Sequence, residues 1–368
     1  MRKLRVALVY DRVNTFGGAE RVLLFLHSLF PNAPLYTSVY DARGASWAQT
    51  WKVVPSWLQR IPLFRSHHEW LGPLMPLAFE SFDFSHYDLV ISVTSEAAKG
   101  IVTKPGTRHI CYLLTPTRYL WSHADEYRSS FSHGWKRVLL PLYDMCISYL
   151  RNWDRVASQR PDIIIPISDV VRTRCERYYL RLAEPVIYPP IRADLFSLQP
   201  TQIRAPYPSY YLCVSRLVPY KRIDLAIRAC KDSGRNLIVV GTGSDERKLR
   251  KFARNSPSIY FAGHLTDQQL VGYYQQCTGL IFPGEEDFGL TVLEAMACGK
   301  PSIVYEKSGN AEVVDHGVTG IIVSEQKTET LVRAMQMIES IPWDSRLLRH
   351  HALRFTQEPT IERWRRYL

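Results

Sequence analysis

Short apolar runs alternate with longer amphipathic stretches along nearly the whole chain. Leu4–Tyr10 reads as a strand, and Ala19–Phe30 follows with apolar residues at 22, 23, 26, 29 and 30, the spacing of one helix face. Leu89–Val93, His109–Leu114, Ile163–Ile167 and Pro185–Tyr188 are further strand candidates. The second half repeats the alternation more cleanly. Its strands are predicted at Tyr211–Ser215, Leu237–Gly241, Ile259–Ala262, Leu280–Phe282, Ser302–Tyr305 and Gly320–Val323, with helices near 222–230, 244–254, 266–276, 290–298 and 328–340. Continuous apolar strands separated by helices predict parallel sheets covered on both faces, an α/β fold.

The pattern weakens at residues 189–208, where Pro189, Pro190, Pro200, Pro206 and Pro208 interrupt it. Two Rossmann-like, doubly wound domains are therefore expected, one over residues 1–195 and one over 208–352. Domains of this kind bind ligands at the carboxyl ends of their strands, so two of them face to face would leave a nucleotide-type site in the cleft.

Composition changes this picture little. In 368 residues, 46% are hydrophobic and 22% charged, which excludes global disorder. Seven cysteines are scattered singly, neither a zinc framework nor a disulfide scaffold, and suit a reducing cytoplasm. The opening Met-Arg-Lys-Leu-Arg runs straight into Val6–Tyr10, unlike a signal peptide, and no apolar run is long enough to span a bilayer. The net charge of +11 suits an anionic partner. Without a basic block, a zinc-finger pattern or interleaved stacking aromatics, nucleic acid is not expected to be that partner.

Three segments carry candidate chemistry. Gly17 and Gly18 lie between the first strand and first helix, where the backbone can approach a ligand at a helix N-terminus. This is not the GxGxxG fingerprint, which argues against an NAD-linked oxidoreductase. Arg216 and Lys221 follow the first strand of the second half; two cations converging there would suit a diphosphate. In Gly284-Glu285-Glu286-Asp287-Phe288-Gly289-Leu290, a loop enters a helix, and Glu294 lies farther along that helix among Leu293, Ala295 and Met296. The amides of Gly289 and Leu290 at the helix start favour phosphate. Carboxylates accept from sugar hydroxyls, so Glu286 and Glu294 read as one acid for each sugar of a nucleotide-sugar.

The Glu286–Glu294 pair, with Phe288-Gly289-Leu290 between and Ala295-Met296-Ala297-Cys298-Gly299 after, resembles the E-x7-E motif of glycosyltransferase family 4. Gly17-Gly18, Arg216 to Lys221, Gly241 and Gly243, and Gly309 to Gly320 fall in that family's order. The resemblance implies the GT-B fold, with a C-terminal helix, about 355–368, crossing back to the first domain. It also implies a retaining transfer from a nucleoside-diphosphate sugar, with no metal and no other cofactor. Glu286 would then hold the donor sugar, Glu294 the ribose, and Arg216 with Lys221 the leaving diphosphate. Gly17, Gly18, Gly241, Gly243, Phe288, Gly289 and Leu290 would line the donor.

Ser92 to Gly100 and Cys111 to Trp121 resemble the mannosyltransferases of bacterial O-antigen and exopolysaccharide assembly. That implies Lys99, Thr115 and Arg118 near the acceptor or sugar. Leu114 stands where that group carries a histidine near the reacting centre. The expectation is a cytoplasmic enzyme, peripheral on the inner face of the membrane, that transfers mannose from GDP-mannose to a lipid-linked glycan. A UDP-sugar donor and a catalytically silent scaffold are the alternatives. Two stretches mixing Trp, bases and apolar residues, Leu58–Trp70 and Trp135–Trp153, are candidate membrane contacts, although helical apolar spacing also serves a core.

Overall fold

A computed structural model describes residues 4–61, 72–131 and 134–368. The chain forms two compact units that divide between Ile187 and Tyr188.

The first unit runs β1 (Val6–Tyr10), α1 (Gly18–Leu29), β2 (Leu35–Thr37), β3 (Val53–Pro55), α2 (Met75–Glu80), β4 (Leu89–Thr94), β5 (Arg108–Leu113), α3 (Ala124–Phe131), α4 (Leu140–Ser158), β6 (Ile163–Pro166) and α5 (Asp169–Tyr179). Its sheet is wholly parallel in the order β3-β2-β1-β4-β5-β6. All residues of β1 and β4 are buried, which is why these strands read as unbroken apolar runs. Three-residue strands such as β2 and β3 carry no readable period, and the sequence did not mark them.

The second unit runs β7 (Tyr211–Val214), α6 (Ile223–Asp232), β8 (Leu237–Val240), α7 (Glu246–Phe252), β9 (Ile259–Gly263), α8 (Asp267–Gln276), β10 (Gly279–Phe282), α9 (Leu290–Ala297), β11 (Ser302–Tyr305), β12 (Gly320–Val323), α10 (Thr328–Ser340), α11 (Ser345–Leu353) and α12 (Gln357–Arg365). Its parallel sheet has the order β12-β11-β10-β7-β8-β9. The core is built from Cys213, Ile227, Val239, Ile281, Ile303 and Leu331, all with no exposed surface. Both sheets are doubly wound. Their strand order reverses between β1 and β4 in one and between β7 and β10 in the other.

Two expectations differ from the observed units. Pro185–Tyr188 joins no ladder. Ile187 gives its N–H to the Pro166 carbonyl (3.1 Å) and accepts the Tyr112 hydroxyl (2.6 Å), but the flanking prolines have no N–H to extend the pairing. The Pro-rich stretch belongs to the second unit, which begins before residue 195 and includes α12. Ile191 N–H bonds the Phe355 carbonyl (2.8 Å), the Gln275 amide donates to the carbonyls of Ser197 and Gln199 (2.8 and 2.6 Å), and Thr360 donates to the Tyr188 carbonyl (3.4 Å).

His109, at the amino end of β5, is fully buried and bonds Ser92 Oγ through Nε2 (2.8 Å). Burial, with Arg181 and Arg160 nearby, pushes it down to about 3. The unfolded chain therefore binds a proton between pH 6.5 and 3 that the folded chain refuses, and stability is lost as pH falls through that window. One pH unit below the unfolded value the loss from this group is about 1.4 kcal/mol. His109→Asn should remove that part of the acid sensitivity in thermal melts at pH 7 and 5.5; an unchanged pH dependence would contradict it.

Candidate functional site

The second sheet's switch point gathers the cationic and acidic residues singled out above. At the end of β7 the chain passes through Arg216 into a short 3-10 turn, Pro219–Lys221, before α6. Arg216 is exposed and donates from Nη2 to the Tyr220 hydroxyl (3.1 Å). Lys221 is only 2% exposed. An ammonium taken from water needs compensation. Lys221 has the Glu286 carboxylate, the Glu285 carbonyl (3.4 Å) and the ring faces of Tyr220 and Phe282 (both 5.1 Å). Lys221 and Glu286, 65 residues apart, thus form one ion pair across adjacent strand ends. The two charges face each other, whereas the sequence reading had given Lys221 and Glu286 separate tasks.

The loop bearing Glu286 is fastened from behind. Glu286 N–H donates to Ser308 Oγ (2.9 Å), and Gly309 N–H donates to the Glu286 carbonyl (2.9 Å). Gly289 caps α9, and no side chain satisfies the free N–H groups of that helix start. A Cβ at Gly289 would lie 2.9 Å from Asn310 Oδ1 and 3.1 Å from Asn310 Cα, so glycine is what lets the two segments approach. Asn310 is fully buried and neither atom of its amide group has a hydrogen-bond partner. Sequence reading missed Asn310, Ser308 and Tyr220. Only Tyr220, lying between the two cations, carried a signal.

Glu294 lies inside α9, 4% exposed, and accepts the Tyr274 hydroxyl from α8 (3.0 Å). That bond accounts for an acid among Leu293, Ala295 and Met296. Phe288 is buried and stacked on Tyr188 (5.2 Å, 16°), a packing contact, while Leu290, the first residue of α9, is half-buried. Gly241, with φ 123°, and Gly243 let the turn after β8 press on the segment after β7. Added Cβ atoms there would collide with the Ser215 and Leu217 carbonyls.

In the first unit Gly17 caps α1 in extended backbone, and Gly18 is the first residue of that helix. The group at this switch point is one the sequence reading missed. Asp11 is buried after β1 and accepts the Thr94 hydroxyl (2.9 Å) and the N–H groups of Ser95 (2.7 Å), Glu96 (3.0 Å), Ala97 (2.9 Å) and Ala98 (2.8 Å). Beside it Arg12 pairs with Glu96. Lys99 has no exposed surface. Its ammonium meets Asp154 Oδ1 of α4 (2.5 Å), the Glu96 carbonyl and the Tyr179 ring (5.3 Å), so it is a structural ion pair out of an acceptor's reach. Asp154 also accepts Trp121 Nε1–H (2.7 Å). Thr115 and Leu114 are buried, and Arg118 is half-buried. His109, at the other end of β5 from Leu114, does not replace the histidine that Leu114 displaces.

Residues 201–352 match the family model for glycosyl transferases group 1. The chain is similar to O-antigen chain mannosyltransferase C of Escherichia coli, 29% identical over 133 residues, 34% of this chain and 36% of the relative. It is 26% identical over 250 residues to a GDP-mannose-dependent alpha-(1-6)-phosphatidylinositol monomannoside mannosyltransferase of Mycobacterium tuberculosis, 61% of this chain and 62% of that one. The chain spans little more than a third of several curated relatives it matches, 36% and 38% in two further cases. The fold is shared with Anabaena HepE, solved with UDP and glucose, at TM-score 0.71 and 17% identity over 99% of both chains. Two doubly wound parallel sheets give the chain the GT-B fold, and its residues 201–352 carry the match to the group 1 glycosyl transferases.

Proposed function

We propose that the protein transfers mannose from GDP-mannose, with retention and without a metal, to a lipid-linked glycan at a membrane surface. The observation that carries this reading is the Lys221–Glu286 pair at the switch point between β7 and β10, with Arg216 on the same segment after β7. A diphosphate there would take bidentate hydrogen bonds from Arg216 and the point charge of Lys221, and the free N–H groups of α9 favour the same anion. Glu286, relieved of part of its pairing, would accept from the donor sugar's hydroxyls, and Glu294 from the ribose.

In the transfer itself, the bond between the anomeric carbon and the diphosphate oxygen breaks. The acceptor oxygen bonds to that carbon on the same face, and the acceptor's proton passes to the leaving diphosphate. The residues contribute orientation and charge stabilisation. The mannosyltransferase relatives support the mannosyl donor. A UDP-sugar is the second reading, supported by the HepE fold.

The membrane side rests on α4. Val138 and Leu139 before it, and Leu142, Met145, Tyr149 and Val156 within it, are exposed large apolar residues, most of them along one helical face. Such a face with bases near its ends suits a lipid interface. Of the other candidate stretch, Leu58 is buried in the core and residues 62–70 lie outside those described. No helix among the described residues is long and apolar enough to cross a membrane.

The test is label transfer from GDP-mannose and from UDP-glucose into organic-extractable lipid of a bacterial membrane fraction, with and without EDTA. Label from GDP-mannose, unaffected by EDTA, is expected. Label from UDP-glucose alone would replace the donor, and EDTA-sensitive transfer would remove the metal-independent mechanism.

A further inference from the structure

The first unit contains a cavity of about 500 Å³ between α3 and α4 that none of the roles above uses. Its wall carries Arg151 and Arg155, four residues apart on α4 and so on one helix face. Each has spent its Nε–H on a main-chain carbonyl, Arg151 on Leu120 (2.6 Å) and Arg155 on Tyr178 (3.2 Å). Both guanidinium groups lie over the ring of Trp121, at 5.9 and 4.9 Å from its centroid. Trp121 is itself fixed, its Nε1–H on buried Asp154 (2.7 Å) and its ring stacked on Tyr178 (5.4 Å, 18°).

Two like charges are thus held against one indole. Neither is paired with a carboxylate among the described residues. Of the cavity's two acids, Asp144 is engaged by Arg128 through both of its oxygens (2.8 Å each) and also feels the charge of Arg151, while Asp125 adds to the field on Arg128. Among the described residues the Nη groups of Arg151 and Arg155 make no hydrogen bond, so they are the charged donors this wall can offer a ligand. Paired guanidinium forks are the geometry that binds phosphate oxygens.

We propose that this cavity is a phosphate-binding site, distinct from the diphosphate site of the second unit, that takes the phosphate of a lipid head group or of a sugar phosphate. The neighbouring exposed face of α4 ties the lipid source to the proposed transferase reading, but phosphate binding stands whether or not transfer occurs. Ser148 and Asn152 on the same wall supply neutral polar groups for whatever the phosphate carries.

The experiment uses the full chain labelled with 5-fluorotryptophan, with the Trp121 resonance assigned through Trp121→Phe. Trp343 and Trp364 report on the second unit, so binding there is read separately. Inorganic diphosphate, glucose 1-phosphate and phosphatidylglycerol vesicles are the probes, with phosphatidylcholine vesicles as control. A saturable shift or broadening of the Trp121 signal is expected, weakened about tenfold or more in R151Q/R155Q and only partly kept in R151K/R155K, which retains the charges without the forks. A response to vesicles only names the lipid source, and a response to the soluble probes only names the sugar phosphate. A silent Trp121 signal with every probe, or an equal response in R151Q/R155Q of unchanged melting temperature, would overturn the proposal. Neither result bears on nucleotide binding, which Trp343, Trp364 and the label-transfer assay follow separately.

Discussion

Lys221→Met should lower kcat by about 10²–10³-fold while leaving the protein folded, as expected on removing a charge that stabilises the transition state. The methionine keeps the aliphatic stem between Tyr220 and Phe282 and removes only the charge. Glu286 then loses its ion-pair partner, but it is partly exposed and water can solvate it, so the stability cost stays small beside the catalytic one. Arg216→Ala should cost less, because Arg216 is exposed and its site is already screened by solvent. Steady-state kinetics on both variants, with circular dichroism at the assay temperature, check the order. A Lys221→Met enzyme within threefold of wild type would remove the diphosphate role from this residue.

The largest stability effect is expected at Asp11. Its carboxylate is the acceptor for four successive main-chain N–H groups and for Thr94, and it shapes the turn that carries Glu96 and Lys99. Asp11→Ala leaves those donors buried without an acceptor, at about 4 kcal/mol in total, since each unmet donor costs about 1–3 kcal/mol and some will relax to water. For units of this size that is a fall of roughly 10 °C in melting temperature. Asp11→Asn, which retains one acceptor oxygen, should fall between the two. A melting temperature for Asp11→Ala within about 2 °C of wild type would show that the turn holds its shape without the carboxylate.

These two residues also mark what the sequence made legible. Strands buried on both faces wrote themselves as apolar runs, so β1, β4 and most strands of the second sheet were readable to within a residue or two at their ends, and the half-buried edge strand β9 was readable from its Ile-Tyr-Phe composition. Glu294 was legible because a carboxylate in an apolar helix demands an explanation, and Tyr274 with the proposed ribose supplies one. Asp11 was not, because one acid after a strand looks like any loop residue until the turn from β4 is folded over it. Lys99 misled for the opposite reason. A lysine beside a sequence motif reads as a ligand contact, and only Asp154, 55 positions away, shows that its charge is spent inside the fold. The same distance hid the Lys221–Glu286 pair: each member was singled out, but their contact depends on β7 and β10 being neighbours in the sheet.

The most direct test of the central claim is calorimetric binding of GDP-mannose, UDP-glucose, ADP-glucose and dTDP-glucose to the wild type and to Lys221→Met, in EDTA. The wild type is expected to bind one nucleotide class without metal, and Lys221→Met to bind it at least tenfold more weakly. Equal binding of that ligand by both proteins, or no binding of any of the four by the wild type, would contradict the claim.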